Sequence, residues 1–196
     1  KFKVTIQQPK QGKKRQLLDI VERNARLALI NKLKAKYDID KIYQGLKDVF
    51  GLIKVPRRIE VYDNSHMSGA FPIGAMISAN KDGFDKANYR MFDIVSDMAR
   101  GDDYAMLYEV LTRRFTRLIK EDPDNQKNSW PDLVLIDGGR GQASVAKQVF
   151  VELEIPDFPF FCIAKGKERN KGKERFCNDI RDYFIITEKE ILYYIQ

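Results

Sequence analysis

The sequence predicts an α/β layered domain in which a mixed sheet of five strands is flanked by helices, preceded by a small N-terminal helical segment. Three observations predict it. β-branched and aromatic runs with a two-residue period begin only after Pro56, at Arg58–Asp63, Ile73–Ala79 and Tyr89–Ile94. Two later runs, DLVLID (132–137) and FPFFCIA (158–164), are apolar enough for strands buried on both faces. Helical periods fill the gaps, giving the succession of three strands, helix, strand, helix, strand.

Each element has its own signal. The chain opens in a strand-like run, KFKVTI, and Leu18, Val21, Ala25, Leu29 and Leu33 then recur at helical spacing between Gly12 and Lys36, with Lys, Arg and Asn on the opposite side. A second, shorter helix is expected from Asp40 to Phe50, stopped by Gly51 and followed by Pro56. Residues 1–55 are therefore expected to form an accessory segment and 56–196 the main domain. Asp82-Gly83 within NKDGF marks a hairpin between the second and third strand runs. Leu107, Val110, Leu111, Phe115 and Leu118 form one stripe of a helix over Asp102–Glu121, whose two leading aspartates suit the positive end of a helix dipole. GQASVAKQVFVELE reads as another helix, and KGKERNKGKER (165–175) as a basic loop. EILYYIQ begins a last helix, and such a start and finish read as a piece of a longer chain.

Charge and cysteine usage narrow the function classes. The 196 residues carry 35 Lys and Arg against 28 Asp and Glu, a net charge of +7 that favours a polyanionic partner or simply a well-solvated surface. No apolar run reaches the roughly 18–20 residues of a membrane span, and the N-terminus lacks a signal-peptide core, so an intracellular, soluble protein is expected. Cys162 and Cys177 are too few for a disulfide framework and are not spaced as a metal knuckle, so both are read as reduced thiols, with Cys162 in the core.

The carboxylates at element edges are the candidates for chemistry. Asp63 is expected to end the first strand and Asp137 the fourth, while Asp102 and Asp103 open the first long helix. If those strands are neighbours, Asp63 and Asp137 lie side by side, an arrangement that a divalent cation relieves. An all-oxygen donor set suits Mg²⁺ or Mn²⁺, which can activate water and stabilise a leaving oxygen in phosphodiester hydrolysis. Each also has a plainer reading, Asp137 as a turn residue before Gly138-Gly139 and Asp102 as a helix N-cap. His66, the single histidine, is either a general base or a turn donor. Gly139, Gly141 and Ser144 nearly match a dinucleotide loop, but Asp137 just ahead of them would repel a bare phosphate.

Taken together, IEVYDNSHMSG, YRMFDI, GDDYAMLYEVLTRRF, WPDLVLIDGGRGQ and IAKGKERNKGKERF closely resemble, in this order, the C-terminal half of the UvrC family, the nuclease component of the bacterial nucleotide excision repair excinuclease. The resemblance implies an RNase H-like endonuclease domain that makes the incision 5′ to a DNA lesion with Mg²⁺ or Mn²⁺. It implies Asp63 and Asp137 as catalytic, metal-holding aspartates, and Asp103 as a further acid of the same incision. Asp102 and His66, which matches the family's D-x-S-H histidine, are possible accessories. Arg140 and Gln142, with the glycines beside them, and Lys165, Lys167 and Arg169 are the implied DNA contacts. Damaged double-stranded DNA and the excinuclease protein UvrB, with UvrA upstream, are the implied partners, in the bacterial cytoplasm and away from membranes. The sequence departs from the family in one respect: the family's helical catalytic histidine would fall about two turns past Gln196. Metal and DNA binding with weak or absent cutting is therefore expected of the chain as it stands. The alternative is a catalytically incomplete nucleic-acid or protein interaction module of the same fold, resting on Lys13, Lys14 and Arg15 and on Lys167, Arg169 and Lys171.

Overall fold

A computed structural model describes residues 11–67, 71–96, 102–164 and 174–195. The chain divides into two compact units, Lys1–Lys41 and Ile42–Gln196. Helix α1 (Gly12–Phe50), a single helix in place of the two expected, begins in the first unit and ends in the second. No Pro interrupts residues 12–50, and the strong helix formers Lys, Ala and Leu carry the helix through the polar stretch where the apolar period fades. The expected strand at KFKVTI lies outside the described residues.

The second unit holds the sheet. Its strands are β1 (Ile59–Met67), β2 (Phe71–Asn80), β3 (Gly83–Phe84), β4 (Arg90–Asp93), β5 (Leu133–Asp137), β6 (Phe160–Ala164) and β7 (Arg175–Cys177). They form one seven-stranded sheet in the order β3-β2-β1-β5-β6-β7, with β4 also on β2. The five predicted strands are all present; the two added ones, β3 and β7, are too short to show a period. β1, β5 and β6 run parallel, while β2 is antiparallel to β1, β3 and β4. The Asp82-Gly83 turn forms as read, with Gly83 at φ 114° where a side chain would be strained. It leads into β3 and, after a short 3-10 turn at Lys86–Asn88, into β4.

Helices cover both faces of this sheet. On one, α2 (Asp103–Glu121) and α3 (Arg140–Glu152) bury Val110, Leu111, Phe115, Ala146 and Phe150 against Tyr62, Met76, Val134, Ile136 and Phe160. On the other, Phe50 from the last turn of α1 packs on Phe161, with ring centroids 4.6 Å apart, and on Phe176 and Phe184. Residues 42–50 of α1 thus belong with the sheet, and α4 (Lys189–Ile195) joins them through a 2.7 Å hydroxyl contact between Tyr43 and Tyr194. Gly51 (φ 68°) ends α1, with the Leu52 amide returning to the Lys47 carbonyl at 2.9 Å in a Schellman closure. Cys162 and Cys177 face each other across β6 and β7, both buried and both free thiols, as expected.

Candidate functional site

The site begins with the register between β1 and β5. The pairs Val61 with Leu135 and Tyr62 with Ile136 are the last of this parallel ladder, and the next residue on each strand is an aspartate, Asp63 and Asp137. In-register parallel neighbours lie about 4.8 Å apart and point to the same face. Tyr62 and Ile136 face α2 and α3, so Asp63 and Asp137 take the opposite face, the one on which Leu135 and its partner Phe161 lie. Asp63 is exposed and Asp137 partly buried.

One expectation needs correcting here. Asp63 does not end its strand, because β1 continues through Met67 in antiparallel pairing with β2. It is β5 that ends at this level, and Gly138, at φ 149°, turns the chain away from the sheet. The open edge left beside Asp63 arises because its partner strand stops. His66 lies on this extension of β1, opposite Pro72, and not in a turn; its side chain is outside the described residues.

After Gly138 the chain caps α3. The Gln142 side chain reaches back to accept the Gly139 amide at 2.9 Å, and a Cβ on Gly138 would lie 2.5 Å from that same side chain. Arg140, the first residue of α3, is ion-paired with Asp182, and its amide donates to the Tyr183 hydroxyl at 3.2 Å. The Tyr183 ring also lies beneath the guanidinium of Arg175, 4.6 Å from its centroid. Asp182 pushes the Arg140 guanidinium above its ordinary range, while the Tyr183 amide and Arg140 hold the Asp182 carboxyl below its own. Tyr183 and Asp182 were not legible as site residues, since they lie more than 40 positions from the turn they hold and carry no motif.

The other acidic pair sits at the start of α2. Asp102 is its N-cap, accepting the amides of Tyr104 at 2.9 Å and Ala105 at 3.2 Å. Asp103 is exposed, and its main-chain carbonyl receives the side-chain amide of Asn64 at 3.4 Å. This contact ties the beginning of α2 to the β1 residue next to Asp63. Gly74, cross-strand from Asn64, makes the approach possible: a Cβ there would fall 2.4 Å from Val110 Cγ2 and 3.2 Å from Asn64 Oδ1.

A buried polar network anchors the same strand to the same helix. Glu60, fully buried, accepts from Arg114 of α2 at 2.6 Å and 3.2 Å, from Arg58 at 2.9 Å and from the Tyr62 hydroxyl at 2.7 Å. Burial alone would lower the Arg114 pKa, but hydrogen bonding and charge from Glu60 raise it overall. The Tyr62 hydroxyl is pushed up by burial first and by the Glu60 charge second. Neither Arg114 nor Tyr62 changes charge near neutrality, so the network serves to position β1 and α2.

Two oxygen donors on one face, open to solvent, fit a hard divalent cation of the Mg²⁺ or Mn²⁺ type, which holds several waters beside one or two carboxylates. Among the described residues no group of three or more His, Cys, Asp or Glu could hold a metal ion, so Asp103 is not gathered into a three-ligand set with the strand pair. Lys165, Lys167, Arg169 and Lys171 lie outside the described residues, and so does the side chain of Lys13.

The family described as the UvrC RNase H endonuclease domain matches residues 47–196. UvrABC system protein C of Jannaschia sp. (strain CCS1) is 45% identical over 196 residues, covering 99% of this chain and 31% of that protein. The protein of the same name from Sphingopyxis alaskensis is 46% identical, covering 99% of this chain and 30% of its own length. The chain thus spans about a third of the length of these curated relatives. Among solved structures, Endonuclease V of Bacillus subtilis shows a partial likeness, with a TM-score of 0.35 and 16% identity over 69% of this chain and 56% of that one. By the family match over residues 47–196, the chain belongs to the UvrC RNase H endonuclease domain family.

Proposed function

We propose that this domain hydrolyses a DNA phosphodiester bond with the help of a divalent cation, Mg²⁺ or Mn²⁺, held by Asp63 and Asp137, and that in the whole protein this is the incision 5′ to a lesion. The observation that carries the reading is the level placement of the two aspartates where β5 ends beside β1. When bound, the cation would activate water and neutralise charge on the scissile phosphate. The two carboxylates would hold it from one side, with the opposite side open to phosphate and water. Asp103 acts in the same incision from the start of α2, placed by Asn64 and Gly74. Arg140, the first residue of α3 after the turn that ends β5, supplies a cation to the phosphate. It exchanges Asp182 for the phosphate, an exchange of one anionic partner for another that costs little at a solvent-exposed site. Gln142 acts indirectly by holding the Gly139 amide. Damaged double-stranded DNA is the substrate, and UvrB the partner that brings it, downstream of UvrA, in the bacterial cytoplasm. No helix among the described residues is long and apolar enough to cross a membrane.

The test is incision by the full-length protein. Asp63→Asn or Asp137→Asn abolishes the 5′ cut, leaves any other cut intact and preserves the folded state by circular dichroism. Normal 5′ cutting by both variants contradicts the reading. A second reading, a catalytically incomplete module that binds nucleic acid or protein, is favoured by one observation, the lack of a third metal-ligating side chain grouped with the pair among the described residues. It expects DNA binding that falls steeply with salt and is indifferent to both substitutions.

A further inference from the structure

A polar cleft of about 510 Å³ opens at the other end of β1, between the start of that strand, the end of β2 and the loop that follows α2. Arg57, Arg58, Lys127 and Asn128 line it, and so does Ser78. From Arg58 to Asp63 is five residues of strand, about 17 Å, so no single phosphate spans both places. The Ser78 residue is 1% exposed, and its hydroxyl has no hydrogen-bond partner. A buried hydroxyl left so is costly, on the order of 1–3 kcal/mol, unless something arrives to use it.

The cleft's charges favour an anion. Its two carboxylates are already engaged: Asp132 accepts Lys54 Nζ at 2.7 Å and the amides of Arg57 and Arg58 at 2.8 Å and 3.2 Å, and Asp85 accepts the Asn88 side chain at 2.6 Å. Its cations have capacity left. The Arg57 side chain is 58% exposed, with its Nε 3.8 Å from Asp132, and Lys127 spends one proton on the Glu121 carbonyl at 2.7 Å. The Arg58 guanidinium is held in place by Glu60, which fixes one wall. A guanidinium held in place, exposed cations and an unused hydroxyl together suit a tetrahedral oxyanion.

We infer that this cleft is a second anion site, which takes a phosphate group through Arg57, Lys127 and the Ser78 hydroxyl, apart from the aspartate pair. The phosphate comes either from a nucleic-acid backbone or from a free phosphate or monoester.

The experiment titrates inorganic phosphate into the isotopically labelled chain at constant ionic strength, with chloride as reference, following the amides of Arg58, Ser78 and Ser129 by NMR. Saturable shifts at these amides are expected. Arg57→Gln weakens the binding about tenfold, as loss of a charged hydrogen bond does. Ser78→Ala weakens it too, while leaving the phosphate-free protein as stable as before or more so. A duplex DNA that displaces phosphate from these amides identifies the backbone as the source; DNA that leaves them unchanged identifies a free phosphate or monoester. Shifts no larger than those of chloride overturn the inference. So does a Ser78→Ala variant that loses stability without phosphate, since its hydroxyl would then already have a partner.

Discussion

Glu60 of β1 and Arg114 of α2 meet within the protein at 2.6 Å, 54 residues apart in sequence. Glu60 is the strand residue three before Asp63, and Arg114 the helix residue eleven after Asp103, so this ion pair sets how the acidic strand and the acidic helix start lie together.

Removing one partner should be far worse than removing both. Glu60→Ala leaves the Arg114 guanidinium buried without its anion and is expected to cost about 3–5 kcal/mol, read by urea unfolding. Combining it with Arg114→Met should recover a large part of that loss. A single-variant cost under about 1 kcal/mol would mean that solvent reaches the pair and that it does not hold the strand to the helix.

Gly74→Ala tests the close approach of α2 to β2. The added methyl would sit 2.4 Å from Val110 Cγ2, so the helix or the strand must shift, at a cost of about 1–3 kcal/mol. Val110→Ala in the same protein should restore room and recover part of the loss. In the full-length protein, Gly74→Ala is expected to lower incision more than DNA binding, because it displaces Asp103 and leaves the basic surface untouched.

Acid should destabilise the domain through carboxylates that donors hold charged. Burial would raise the Asp132 pKa, but Lys54 and the amides of Arg57 and Arg58 outweigh it and bring it below the usual carboxylate range. For Glu109, burial is likewise outweighed, by the amides of Val95 and Ser96 and by Arg113. Carboxyls depressed in the folded state contribute stability that is whole above their unfolded pKa, about 4, and is lost as pH falls through the lower folded value. Unfolding free energy is therefore expected to be level from neutral pH to about 5 and to drop below about 4. Asp132→Asn should cost about 2 kcal/mol at pH 7 and make the acid drop shallower. An unchanged acid slope in that variant would contradict the assignment.

How much of this was legible follows from burial. The strands that alternate or run apolar, and the helices with one clear stripe, show in the sequence because the core imposes their period on it. The second half of β1 does not: once β5 ends, Asn64–Met67 pairs with β2 alone, and the sequence DNSH carries no apolar alternation. That is why Asp63 reads as a strand end. β3 and β7, at two and three residues, are shorter than any period, and α1 reads as two helices because its stripe fades where no breaker stands. Of the candidate site, Asp137 and the capping part of Asp102 were visible as residue types at element edges, and Asp63 was singled out as an edge residue that the structure places inside β1. Tyr183 over the Gly139 turn, Gly74 under α2 and the Glu60 network were not, since each depends on a partner that only the folded chain brings close.

Whether Asp63 and Asp137 together hold the cation of this endonuclease domain is decided by a crystal of the chain soaked in Mn²⁺, through the anomalous signal of the metal. A peak is expected between the two carboxylates, with an oxygen of each about 2.1 Å away, and no peak there in Asp137→Asn. Carboxylates that stand apart, with no metal between them at saturating Mn²⁺, would mean that the pair is not the metal centre.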